Sequence, residues 1–125
     1  MYDGPAHAPP GWPSEVQPAG VPGWEQTAVV WLLDLCPAEY RAHEVLRRHP
    51  VVLARFAAGH VEAGVAAARH GLATLRADLG GVVDDTVVEA ALGAYDREGR
   101  RLAAAARGVR MVEEALRGRR FVPRL

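Results

Sequence analysis

Between residues 51 and 79, apolar side chains recur at alternating steps of three and four. Val51, Ala54, Ala58, Val61, Val65, Ala68, Leu72, Leu75 and Leu79 keep this spacing without a slip. A 3.5-residue repeat sustained over four heptads is the seam of one helix packed along another, and few other folds accommodate it. A second stripe runs beside the first through Leu53, Ala57, His60, Gly64, Ala67 and Gly71, mostly small residues that let another backbone come close. The polar face is narrow, with Arg55, Glu62, Arg69 and Arg76 at seven-residue steps. A helix apolar over most of its circumference needs more than one neighbour. Val61, Gly64, Val65, Ala68, Gly71 and Leu72 are therefore the candidate interaction face.

Gly80-Gly81 stops this helix, since glycine at a helix end readily takes the left-handed conformation. Thr86 followed three residues later by Glu89 predicts a capping box, and Asp84 and Asp85 suit the positive end of a helix dipole. A second long helix is expected over 86–117, with Val88, Leu92, Tyr95, Gly99, Leu102, Val109, Val112 and Leu116 as its stripe and a phase shift near Ala105. Asp96–Arg100, Arg110–Glu114 and Glu113–Arg117 stand at the spacing of supporting ion pairs. Each long helix runs on the order of 40–50 Å at ~1.5 Å per residue, and the short link makes them an antiparallel hairpin.

Upstream, residues 24–35 place Ala28, Trp31, Leu32 and Leu35 at helical spacing. Cys36-Pro37 ends that helix, because a residue before proline avoids the α region, and Pro37 opens a helix expected over 37–48. His49-Pro50 makes the next corner by the same mechanism. Residues 1–23 hold six of the nine prolines and read as an extended, flexible arm. Trp12, set between prolines, is a candidate docking residue, for a groove elsewhere or for its own domain. Residues 118–125 form a basic tail. The fold class is all-α: a long antiparallel hairpin, two short N-terminal helices and an arm.

The chemistry-bearing residues are sparse. Ser14 is the only serine, Cys36 the only cysteine, and no phosphate-binding loop, dinucleotide turn, nucleophile elbow or zinc array is present. His43, His49, His60 and His70 lack the Glu-x-x-His spacing of bundle metal sites, so no metal, cofactor or catalytic residue is expected. His60, within an apolar stripe, reads as a core or interface histidine. The net charge is zero, but residues 97–125 carry nine arginines against three acids, while residues 1–40 carry five acids and no arginine. Arg100, Arg107, Arg110 and Arg117 share a helix face and continue into Arg119, Arg120 and Arg124. Such a surface is either a solvated helix end whose arginines complement its dipole, or one that meets phosphates or an acidic protein. Lys, Asn and Ile are absent, as codon bias in a GC-rich bacterial genome would produce, so the all-Arg composition is not itself a phosphate-binding signal.

Apolar runs of about six residues are far short of a membrane span, the first residues lack a signal-peptide pattern, and a lone cysteine suits a reducing cytoplasm. The expectation is a non-enzymatic interaction, adaptor or regulatory module that forms a homodimer or other homo-oligomer and binds a protein partner. A nucleic-acid-associated protein using the C-terminal arginines is the alternative. A bundle-type metal protein or enzyme is a more distant third.

Overall fold

The computed structural model describes residues 8–118. Helix α1 spans Trp24–Leu35, a 3-10 turn Ala38–Ala42, α2 Glu44–Arg48, α3 Pro50–Leu79 and α4 Asp85–Leu116. The protein is all-α and built on the α3–α4 pair; among the described residues the only strand-like pairing is an isolated bridge from Gly80 to Val83. At ~1.5 Å per residue the two long helices measure about 45 Å and 48 Å.

The helix boundaries follow local chemistry. Cys36, ahead of Pro37, is extended at ψ 161°, and Pro50 occupies the first turn of α3, where its missing N–H is not needed. Gly81 takes φ 83° in the turn between the long helices. The expected capping box does not form. Helix α4 starts one residue earlier, at Asp85, without a side-chain cap, and Glu89 instead reaches across the turn to Arg76 at 2.6 Å.

The stretch expected as one helix over 37–48 is two pieces, because His43 is extended at φ −87°, ψ 107°. Tyr40 and Leu46, six residues apart, would lie about 120° apart around a continuous helix. The break lets both meet α3, Tyr40 edge-on to Phe56 with centroids 6.0 Å apart and Leu46 fully buried.

The buried line of α3 runs between the two anticipated stripes. It takes Ala54, Val61 and Ala68 from the first, and Leu53, Ala57 and Gly71 from the second. Leu72 of the first stripe is 42% exposed.

Residues 8–23 are a series of turns laid on the bundle where an extended arm was expected. Val16 is buried in the core, Trp12 stacks obliquely on Trp24 at 6.2 Å, and the Trp12 indole N–H donates to the Val16 carbonyl at 2.9 Å. Turn hydrogen bonds from Trp12 to Pro9 and from Val16 to Pro13 satisfy the backbone. Proline here pre-sets turns instead of excluding order.

The core is concentrated at one end of the hairpin. Its buried members lie at or before Val61 in α3 and at or after Ala106 in α4, joined there by Ala28, Leu32, Cys36 and Leu46. Beyond Val61, α3 continues for eighteen residues with Ala68 as its only buried hydrophobic side chain. Val88 is its counterpart near the start of α4. The outer half of the hairpin is therefore two helices covering only each other.

Candidate interaction surface

The contact between α3 and α4 is drawn tight by glycine. A Cβ on Gly64 would lie 2.8 Å from Leu102 Cδ1, and one on Gly71 would clash with the Cζ and Cε atoms of Tyr95. Ala68 and Gly99 approach so closely that a Cβ on Gly99 would lie 3.4 Å from that of Ala68. The small-residue stripe thus serves the chain's own α4. Of the anticipated interaction face, Val61, Gly64, Ala68 and Gly71 are used internally, while Val65 and Leu72 border solvent.

Val65 and Leu72 open onto a groove walled by α3 and α4 alone. It holds two adjoining hollows of about 290 Å3 and 360 Å3, both lined by Val65, Arg69 and Ala103. Ala66 and Ala106 extend the floor of the second, and Arg107 and Arg110 stand on its far side. The neighbouring residue Gly108 faces elsewhere, beneath Pro13 and Trp31, each 3.1 Å from where its Cβ would be. The arm and α1 thus cover one side of α4, and the groove occupies another.

The arginines divide into two sets. Arg76 pairs with Glu89, Arg100 with Asp96 at 3.2 Å, Arg101 with Glu98 and Arg117 with Glu113 at 2.8 Å. Arg69, Arg107 and Arg110 have no carboxylate within 4.0 Å among the described residues, although Glu62 lines the same hollow. The expected Arg110–Glu114 pair is absent from these bridges. Of the anticipated basic surface, Arg100 and Arg117 are neutralised locally, Arg107 and Arg110 are not, and Arg119, Arg120 and Arg124 lie outside the described residues. Arg69 was not anticipated as a member. Its heptad position on α3 was visible in the sequence, but only the antiparallel register brings it to the arginines of α4.

Trp12, the candidate docking residue, docks on its own bundle. His60 is exposed and rests edge-on against Tyr40 at 6.1 Å, because the seam turns away from it toward Gly64. Cys36 is buried, which pushes its thiol above the usual range, with Arg41 partly offsetting the effect. No three His, Cys, Asp or Glu side chains among the described residues are grouped as a metal site requires. Among the described residues α3 alone is long and apolar enough by composition to cross a membrane, an 18-residue window of it reaching a mean hydropathy of 1.3 despite its short individual apolar runs. Arg55, Glu62, Arg69 and Arg76 nevertheless place a charge on it every seven residues.

Comparison with protein-family models, with curated proteins and with solved structures gives no match.

Proposed function

We propose that the protein is a non-enzymatic helical interaction module, adaptor or regulatory in role, which binds protein through the outer half of its hairpin. The observation that carries this reading is the asymmetric core. One end of the α3–α4 pair is enclosed by α1, α2 and the arm, while the other end leaves Leu72, Val82 and Val87 at 42%, 72% and 50% exposure. Two bare helices bury too little surface to hold two long elements firmly, and a further helix or helical pair supplies what is missing. The outer half of the hairpin is long enough to meet a partner without disturbing the enclosed end.

Self-association belongs to this reading. With Gly64 and Gly71 already filled by Leu102 and Tyr95, the surface available to a second copy is the apolar tip, Val82, Val83 and Val87. A reducing cytoplasm, consistent with the lone Cys36, is the proposed setting. Light scattering on the purified chain at micromolar concentration tests the dimer. The expected mass is twice 13.4 kDa, falling to the single-chain value in Val82→Asp/Val87→Asp. A mass of 13.4 kDa at every concentration would remove self-association.

Nucleic-acid association is the second reading, favoured by Arg69, Arg107 and Arg110, which pair with no carboxylate among the described residues. It is weakened by the local neutralisation of Arg100 and Arg117.

A further inference from the structure

We infer that the groove between α3 and α4 docks an acidic amphipathic helix from a partner protein. Its apolar stripe would seat on the alanine floor, and its carboxylates would pair with Arg69, Arg107 and Arg110. This rests on the interaction-module reading and specifies the partner's chemistry; the groove begins in the outer half, at Leu72 and Val65, and runs on to Ala106, Arg107 and Arg110 beside the enclosed end.

The shape comes first. Ala66, Ala103 and Ala106 form a shallow trough whose side chains end at Cβ, with Val65 and Leu72 toward its outer end. A trough between two helices with small residues along its floor admits a third helix at the usual interaxial distance of roughly 8–10 Å. An extended peptide would leave its backbone polar groups unpaired over the same floor, whereas a helix satisfies its own.

Charge then selects among helices. Arg107 and Arg110 are three residues apart on one face of α4, and Arg69 reaches the same hollow from α3. Arg76 and Arg100 on the same two helices have found carboxylates in Glu89 and Asp96, whereas these three, like Arg97 outside the groove, have none bonded among the described residues. Three guanidinium groups beside an apolar floor suit carboxylates that flank an apolar stripe at helical spacing.

A second copy is a poor occupant. A two-fold contact presents the same patch from both sides, so this groove would set arginine against arginine. A nucleic-acid backbone is also a poorer match. The two hollows together are lined by four arginines, Arg69, Arg100, Arg107 and Arg110, against Glu62 and Asp96, a small surplus. The apolar floor would also gain nothing from phosphate.

The experiment is selection of a displayed library of helix-forming peptides against the full chain, with each enriched peptide then measured against Arg107→Glu/Arg110→Glu. Both residues are exposed, and an unchanged melting curve verifies the variant's fold. The expected peptides carry an apolar stripe at three- and four-residue steps flanked by Asp or Glu. They should lose at least tenfold affinity on the variant and recover part of it when those acids become lysine. Ala103→Trp, which fills the floor, should weaken them without any change of charge. Peptides with no acidic bias, or indifferent to both variants, would overturn the groove while leaving the module reading intact. Failure to enrich any peptide would remove both. An oligonucleotide that binds the wild type and not the charge-reversed variant, where no peptide does, would overturn the proposal in favour of phosphate recognition.

Discussion

Tyr95 of α4 brings the Cζ end of its ring against the bare backbone of Gly71 in α3, so that a methyl group at residue 71 would clash with the ring. Gly59, twelve residues earlier on the same helix, has nothing within 4 Å of a Cβ position. Glycine inside a helix is destabilising by about 1 kcal/mol relative to alanine. Where space is free, alanine recovers that amount; where a ring fills it, overpacking of roughly 1–3 kcal/mol outweighs the gain. Gly59→Ala should therefore stabilise the protein by up to about 1 kcal/mol and Gly71→Ala should destabilise it by a comparable amount. Chemical denaturation measures both. In the Tyr95→Ala background the Gly71→Ala penalty should vanish; if it persists, the glycine is not there for the tyrosine.

Gly64 makes the same kind of approach to Leu102, and Gly64→Leu should be strongly disruptive. Two leucine side chains cannot share a contact in which one already reaches within 2.8 Å of a Cβ position. The expected result is a loss on the order of 3 kcal/mol, the upper range for overpacking. Thermal melting checks it, and an unchanged melt would place residue 64 outside the helix contact.

Trp12 links the arm to the bundle through its ring contact with Trp24 and its hydrogen bond to the Val16 carbonyl. Because Trp12 is half-buried, Trp12→Ala should cost about 2 kcal/mol, less than truncating a fully buried aromatic. It should also raise the solvent exposure of Trp24, read by fluorescence quenching. A variant that melts like the wild type would show that the arm contributes no stability.

The fates of Trp12 and Arg69 show what the sequence made legible. The hairpin was readable because Gly80-Gly81, Pro37 and Pro50 punctuate the chain by local backbone chemistry, and the stripes of α3 and α4 are periodic. That Trp12 rests on its own domain was among the readings of the arm, but the turns that carry it and the burial of Val16 were not, since proline and glycine content reports on helix propensity and says nothing of which side chains find a surface. The capping box failed because Glu89 has a better partner across the turn in Arg76, which local spacing does not reveal. The groove depends on which residue of α3 lies opposite which residue of α4. That register, set by the turn and by Gly64, Ala68 and Gly71, is a property of the pair and of neither stripe alone.

The outer half of the hairpin should be the first part to open. Amide exchange reports local opening, and segments with few buried contacts exchange at low free energy. In the Val82→Asp/Val87→Asp chain, where the tip contact is removed, residues 65–79 and 85–101 are expected to lose protection well before residues 50–61 and 105–112, which enclose Leu53, Val61, Val109 and Val112. Uniform protection along both helices of that variant would show that the outer half is stable without any cover.

Cys36 tests the enclosed end. Burial disfavours the thiolate, and the thiol titrates above its ordinary value of 9.0. The folded state thus holds its proton to higher pH than the unfolded state does. Its contribution to stability is complete below the unfolded value and is lost as pH rises from there through the folded one. Because alkylation needs an accessible thiolate, iodoacetamide at pH 8 should modify the native chain far more slowly than the denatured chain. Arg41→Ala removes the charge that favours the thiolate and should slow native modification further. Labelling of native and denatured protein at equal rates would show that the end closed by Cys36, Leu46 and Ala54 is open to solvent.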